Sequence, residues 1–150
     1  MFKMLAGMVL TFVASAPAAY PAQKESERLQ GSYEVVDMME AGVKIAAAEI
    51  KTMTVLWKGD HVKISTRKPG QKDETIVAAF DVRLQAGKSP QPIDLTLTIS
   101  DDKGKKFPGI LKVDGDTVIL CFDEDGLHRP TTFASLPKTA VTLMTLKKKK

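Results

Sequence analysis

Two histidines, one cysteine and two acidic turns are the side chains of this sequence that could support chemistry. His61 follows a turn and His128 precedes Arg129, and the chain contains no Gly-x-Ser-x-Gly motif. Nucleophilic catalysis needs a base that reaches both a nucleophile and an orienting group. Because no such set is recognisable, we predict that the protein is not an enzyme and that both histidines face solvent.

The acidic turns, Asp123-Glu124-Asp125-Gly126 and Asp114-Gly115-Asp116, are the candidate cation ligands. Clustered carboxylates suit Ca²⁺, but neither turn matches the spacing of an EF-hand loop. Asp and Gly are also common in turns for conformational reasons. One cysteine and two distant histidines do not supply a zinc site either. The sequence therefore predicts no metal and no cofactor.

Cys121 is the only cysteine, so the chain forms no internal disulfide and depends on its apolar core for stability. It lies in the middle of a strand-like segment. This position predicts a buried and inert thiol, and a reactive thiol is the alternative.

The first 18 residues have the form of a secretory signal peptide. Lys3 gives a positive start, residues 4–14 are apolar, and Ala16-Pro17-Ala18 offers a cleavage site after Ala18. The apolar segment is shorter than a membrane-spanning helix, and no later segment is long enough either. We therefore expect an exported protein, periplasmic or secreted, without stable membrane insertion after cleavage. An ordinary N-terminal helix is the alternative.

The net charge of +4 comes from the two ends of the chain. Without Lys3 and Lys147–Lys150, 17 basic and 18 acidic residues remain. A nucleic-acid-binding protein carries a basic face within its fold, so this distribution predicts no nucleic-acid partner. We interpret residues 147–150 as a lysine tail that keeps a terminal strand edge soluble and unpaired, and a weak contact with an anionic surface is the alternative.

The segments between these features alternate apolar with polar residues, which is typical of strands with one buried face. The alternation is clearest over residues 93–99, and Gly59-Asp60 and Gly115-Asp116 mark hairpin turns. About eight such strands follow one another through short loops. The chain is therefore predicted to be all-β, with an antiparallel up-and-down β-barrel over residues 29–146.

Three smaller elements complete the predicted organisation. Residues 19–28 form a polar leader, and the first strand spans residues 32–38. Residues 46–51 are rich in strong helix formers and predict a short helical turn.

One face of these strands supplies the interior of the predicted barrel. Eight strands enclose a space just wide enough for packed side chains or for one small ligand. The bulky residues favour a filled interior. If the lumen holds a ligand, Trp57, Phe80 and Phe122 are its main contacts. The full set of hypothetical lining residues is Met53, Val55, Trp57, Phe80, Val82, Leu95, Leu97, Val118, Leu120 and Phe122.

A series of short motifs extends in order from residue 29 to about residue 147. The motifs are Leu29-Gln30-Gly31-x-Tyr33, Gly59-Asp60-x-Val62, Ile93-Asp94-Leu95, Pro108-Gly109-Ile110, Asp114-Gly115-Asp116-Thr117, Leu120-Cys121-Phe122 and Arg129-Pro130-Thr131-x-Phe133. In this order they resemble a family of uncharacterised small exported proteins that is abundant in planctomycete bacteria. The resemblance implies a lipocalin-like fold, and it implies no substrate and no catalytic residue.

Lipocalin-like barrels often begin with a Gly-x-Trp pair, whose Trp closes one end of the barrel beneath a basic side chain. Gly31-Ser32-Tyr33 occupies that place here, with Tyr instead of Trp. The resemblance implies that Gly31, Tyr33 and a cation close the barrel, and Arg129 and Lys147 are the candidate cations. Such a cation–π contact contributes about 0.5–2 kcal/mol.

The sequence is consistent with two functions. The first is an exported barrel that buries a small apolar or amphiphilic molecule in its lumen. The second is a cell-envelope interaction module with a filled core, which binds a protein or a polysaccharide through loops 67–74, 85–92 and 101–107. An open lumen favours the first function, and a packed interior favours the second.

Overall fold

The computed structural model describes residues 22–150, so the expected signal peptide at residues 1–18 lies outside the described residues. Within residues 22–150 the chain forms two helices, α1 (Ala22–Leu29) and α2 (Ala47–Ile50). The strands are β1 (Gly31–Glu40), β2 (Val43–Lys44), β3 (Met53–Lys58), β4 (His61–Thr66), β5 (Thr75–Leu84), β6 (Gln91–Leu97), β7 (Lys106–Asp114), β8 (Thr117–Asp123) and β9 (Val141–Lys148).

The strands form one closed antiparallel barrel. From β3 onward each strand pairs with the next along the chain, β1 pairs with β3, and β9 returns to pair with β1. The two-residue strand β2 pairs with the end of β1 and lies outside this ring of eight. The structure confirms the predicted all-β up-and-down barrel. Closure gives every strand of the ring a partner on both sides.

Helix α1 lies in the segment that the sequence analysis interpreted as a polar leader. Glu25 in its first turn and Arg28 in its last turn complement the helix dipole. Leu29, its last residue, is buried in the core, and its carbonyl accepts a hydrogen bond of 2.8 Å from the Tyr33 hydroxyl. The helix therefore covers the end of the barrel at which β1 begins, which we call the closed end.

The predicted helical turn near residues 46–51 is confirmed as α2, between β2 and β3. Its backbone makes hydrogen bonds from Ile50 to Ala46 and from Lys51 to Ala47. Ile50 is buried, and its burial fixes this short turn against the barrel.

The last strand is longer than the sequence predicts. We expected the barrel to end at residue 146, but β9 extends through Lys148. Lys147 lies opposite Glu34, and Lys148 lies opposite Tyr33 on β1. The Lys148 amide also donates to the Asp116 carbonyl at 2.9 Å. The first half of the predicted lysine tail is therefore part of the pairing that closes the barrel.

The middle of the barrel is packed with large side chains. Phe80, Phe107 and Phe122 have ring centres 5.6–6.4 Å apart, in edge-on and stacked arrangements that aromatic pairs prefer. Gly109 lies beside them on β7, where a Cβ atom would come within 2.9 Å of the Phe122 Cβ. The missing side chain at Gly109 therefore makes room for Phe122.

Replacing Trp57 with Ala tests the packed interior. Trp57 is 2% exposed, so Trp57→Ala should lower the free energy of unfolding by about 3–5 kcal/mol, because it removes a large buried ring. Val36→Ala is the matched control, since Val36 is an exposed apolar residue of β1. A denaturant titration measures both variants, and a loss of less than about 1 kcal/mol for Trp57→Ala would contradict the inward position of the ring.

Candidate functional site

The structure brings all ten predicted lumen residues into one apolar core. Met53, Val82 and Leu97 are partly buried and pack against it. The other seven are fully buried: Val55, Trp57, Phe80, Leu95, Val118, Leu120 and Phe122. Phe107, which the sequence analysis placed in a loop, joins them because it lies opposite Leu95 at the start of β7.

These side chains fill the interior rather than line a wide lumen. The seven buried residues are 1–4% exposed, whereas the walls of a ligand-sized lumen would leave much of their surface accessible to water. An eight-stranded barrel has just enough room for its own side chains, and here they occupy it. A small molecule would therefore have to bind at an end of the barrel.

The end of the barrel opposite α1 carries an apolar groove of about 460 Å³, which we call the mouth groove. Small-molecule pockets have volumes of about 300–1,000 Å³, so the groove falls within that range. Its apolar residues come from β1, α2 and its flanking segments, β3 and β5, and its charged residues stand among them. The lining residues are Met38, Glu40, Ile45, Ala48, Glu49, Thr52, Met53, Thr66, Lys68 and Val77.

Local structure on the β1 side of the groove explains its shape. After β1 the chain turns through β2, and the Ile45 amide donates to the Met38 carbonyl at 2.9 Å. This bond keeps Ile45 next to the barrel and leads the chain into α2. Buried Ile50 then holds α2 in place, so that Ala48 and Glu49 face the groove.

A bulge on the β5 side leaves apolar surface at the groove. The register of β4 and β5 shifts between Ile64 and Ser65, where Ile76 and Ala78 are the successive partners and Val77 is the extra residue. Val77 is 54% exposed and lines the groove. An exposed β-branched residue next to two methionines is a surface that apolar ligands can cover.

Acidic side chains surround the β1 side of the mouth groove. Glu40 and Glu49 line it, and Glu124 lies close enough to act on the charge of Glu40. Partial burial, and then the negative charges of Glu124 and Glu49, raise the pKa of Glu40. Lys68 is the one cation among the lining residues of the groove. No pattern in the sequence points to these residues, because they come from separate segments.

A second pocket, of about 550 Å³, lies at the closed end beneath α1. Trp57, Val82 and Leu84 contribute apolar surface to it, and its polar lining residues are Ser26, Glu27, Gln30, Asp60 and Arg83. The side-chain Oε1 of Gln30 accepts a hydrogen bond of 2.6 Å from the Gly59 backbone N–H, and its Nε2 donates one of 3.1 Å to the Gly59 carbonyl. These bonds tie α1 to the β3–β4 hairpin, so this pocket is the seam between the helix and the barrel.

Lys148 supplies the cation at the closed end, where the resemblance suggested Arg129 or Lys147. Its Nζ lies 6.0 Å from the centre of the Tyr33 ring and 3.5 Å from the Arg28 carbonyl oxygen. Gly31 has φ of +134°, and a Cβ atom there would meet the Lys148 Cε at 2.8 Å. The glycine of the predicted Gly-x-Tyr pair therefore gives both the backbone conformation and the space that this lysine needs.

Arg129 does not close the barrel and instead lies on the outer side of β6 and β7. Its Nη1 donates to the carbonyls of Ile93 and Gly109 at 2.9 and 2.8 Å, and its Nη2 bonds the Asp94 carboxylate at 2.5 Å. Side chains alternate along a strand, and this puts Asp94 outside when Ile93 and Leu95 point inward. Arg129 therefore anchors the connection between β8 and β9 to the barrel wall.

The same connection, residues 124–140, covers Cys121. The Cys121 Sγ lies 3.6 Å from the Thr132 carbonyl oxygen and 3.7 Å from that of Ala134. The residue is fully buried, and burial raises the pKa of its thiol. The predicted burial of the cysteine is confirmed, and it lies between the barrel wall and a loop rather than in the interior.

The other side chains that could take part in catalysis or metal binding have structural partners. Asp123 accepts backbone hydrogen bonds from Asp125, Leu127 and His128, which shapes the acidic turn after β8. His61 pairs with Asp81 at 2.6 Å on the exposed outer face. Among residues 22–150, no group of three or more His, Cys, Asp or Glu side chains is arranged to hold a metal ion.

Comparison with known protein families and with curated proteins finds no match to this chain. The closed eight-stranded antiparallel barrel is compatible with the lipocalin-like fold that the motifs imply. Neither helix of the described part of the chain has the length and apolar character needed to cross a membrane.

Replacing Lys148 tests the closed end. Lys148→Ala should lower the free energy of unfolding by about 1 kcal/mol, because it removes the cation from the Tyr33 ring and from the Arg28 carbonyl. Lys150→Ala, two residues further along the same lysine run and beyond the end of β9, is the control and should leave stability unchanged. Equal denaturation midpoints for the two variants would contradict the role of Lys148.

Proposed function

We propose that this protein is an exported, non-enzymatic barrel that binds a small amphiphilic molecule at its mouth groove. The apolar groove of about 460 Å³ beside a filled interior is the observation that carries this proposal. Export follows from the signal-peptide pattern of residues 1–18. The ordered motifs and the compatible barrel support membership in the planctomycete family of lipocalin-like exported proteins.

The lining of the groove supports an amphiphilic ligand. Met38, Ile45, Met53 and Val77 can cover an alkyl chain, and burying apolar surface contributes about 25 cal/mol per Å² before the costs of association. Unbranched methionine side chains adjust to ligands of different shape, which suits a site without a fixed lumen. The charged rim at Glu40, Glu49 and Lys68 would leave the polar head of the ligand in contact with water.

The binding site in this proposal differs from the lumen that the sequence suggested. Trp57, Phe80 and Phe122 are packed against other side chains, so a ligand in the lumen would have to displace them. Opening the core for a ligand costs the packing energy of each displaced group. The exposed mouth groove requires no such displacement.

A second candidate function is the cell-envelope interaction module. The filled interior supports it, because a barrel without a lumen binds its partners through its loops. Leu127 and Leu136 are exposed apolar residues in the β8–β9 connection. This connection, rather than loops 67–74, 85–92 and 101–107, carries the largest exposed side chains of that kind, so a protein partner would make its contacts here.

Binding of octyl glucoside, a neutral amphiphile, tests the proposed function. Below its micelle concentration, octyl glucoside should bind the protein at one site in isothermal titration calorimetry. Val77→Asn should weaken this binding about fivefold to tenfold, because it places a polar group on the apolar lining. Val77 is exposed, so this change leaves the core intact.

Val43→Asn is the matched control, since Val43 is 65% exposed but is not part of the groove lining. It should bind octyl glucoside as tightly as the unaltered protein does. Failure of the unaltered protein to bind would overturn the proposal and favour the interaction module. An equal loss of affinity in both variants would show that the ligand lies elsewhere.

A further inference from the structure

The mouth groove is surrounded by more negative than positive side chains. Glu40 and Glu49 line it and Glu124 stands beside Glu40, whereas Lys68 is the single cation of the lining. The four ion pairs among the described side chains involve none of these residues. The groove therefore combines an apolar floor with an excess of negative charge that the described ion pairs do not neutralise.

Glu40 lies at the rim of the mouth groove. Glu40 is the last residue of β1 and lies two residues after Met38, so both side chains are on the same side of the strand. Met38 is buried in the core, and Glu40 follows it at the rim. A ligand whose chain covers Met38 would hold its head group near Glu40.

Glu124 is fixed on the same side of the mouth by a buried threonine. Thr142 lies opposite Glu40 on β9, and its hydroxyl donates to the Glu124 carboxylate at 2.7 Å. Thr142 is 1% exposed, so the anchor of this bond belongs to the barrel itself. Two carboxylates are thus held beside one another by the strand pairing, and α2 adds Glu49.

Resting on the proposed function, we infer that the ligand of the mouth groove is a cationic amphiphile, an alkyl chain that ends in a quaternary or protonated amine. The chain lies on Met38, Ile45, Met53 and Val77, and the cation lies among Glu40, Glu49 and Glu124. Each carboxylate attracts the head group, and the partial burial of Glu40 strengthens its share of this attraction relative to water. The cation also reduces the repulsion between the carboxylates.

The charge state of Glu40 gives the binding a pH dependence. Glu124 after β8 and Glu49 from α2 act on its charge, and Lys68 from the β4–β5 connection lines the same groove. Because burial and the two carboxylates raise its pKa, Glu40 takes up a proton earlier than an ordinary glutamate as the pH falls. Binding of a permanent cation should therefore be complete above this raised pKa and weaken as the pH falls through it.

Three probes with the same octyl chain separate the head group from the chain: octyltrimethylammonium, octyl glucoside and octanoate. Isothermal titration calorimetry below the critical micelle concentration of each probe should give the highest affinity for octyltrimethylammonium and the lowest for octanoate. Glu40→Gln should weaken the binding of octyltrimethylammonium about threefold to tenfold and should weaken the binding of octyl glucoside by a clearly smaller factor. Retained binding of the neutral probe also shows that the variant is folded.

Glu34→Gln is the matched control, because Glu34 is an exposed acid of the same strand near its other end. It should leave the affinity for all three probes unchanged. Equal affinity for the three probes, or highest affinity for octanoate through Lys68, would overturn the cationic head group and leave the amphiphile site standing. Binding of none of the probes would overturn the proposed function and the inference together.

Discussion

The pairing of β1 with β9 is the constraint on which the rest of this structure depends. It closes eight strands into a ring, and β9 reaches Lys148 to complete it. Closure limits the interior to the volume that the side chains fill, with three phenylalanines at its centre. It also separates the two ends: α1 and the contact between Lys148 and Tyr33 cover one, and the mouth groove occupies the other.

The filled interior decides where binding can occur. A barrel with an open lumen surrounds its ligand, whereas this one offers a groove between the ends of its strands and α2. Such a site buries one side of a ligand, so selectivity has to come from the head group. The carboxylates of Glu40, Glu49 and Glu124 would supply that selectivity by charge rather than by shape.

The fold could be predicted from the sequence because strand periodicity and turn residues are local signals. The alternation over residues 93–99 and the hairpin glycines were sufficient for the barrel, and the inward face was predicted with the same signal. The mouth groove could not be predicted, since Glu40, Glu49, Lys68 and Val77 meet only after the ring closes. Strand ends also depend on partners: polar Lys147 and Lys148 join β9 because β1 supplies their hydrogen bonds. Arg129 was assigned to the wrong place because its carbonyl partners on β6 and β7 leave no pattern in the sequence.

We propose that the protein binds its ligand at the mouth groove and not in the lumen. Methyl-labelled methionine and the indole N–H of Trp57 distinguish the mouth groove from the rest of the barrel by nuclear magnetic resonance, because Met53 lines the mouth groove, whereas Trp57 lies in the core and reaches the pocket at the closed end. During a titration with octyltrimethylammonium, we expect a saturable shift of the Met53 methyl signal and an unchanged Trp57 indole signal. A shift of the Trp57 signal with an unchanged Met53 signal would contradict binding at the mouth groove.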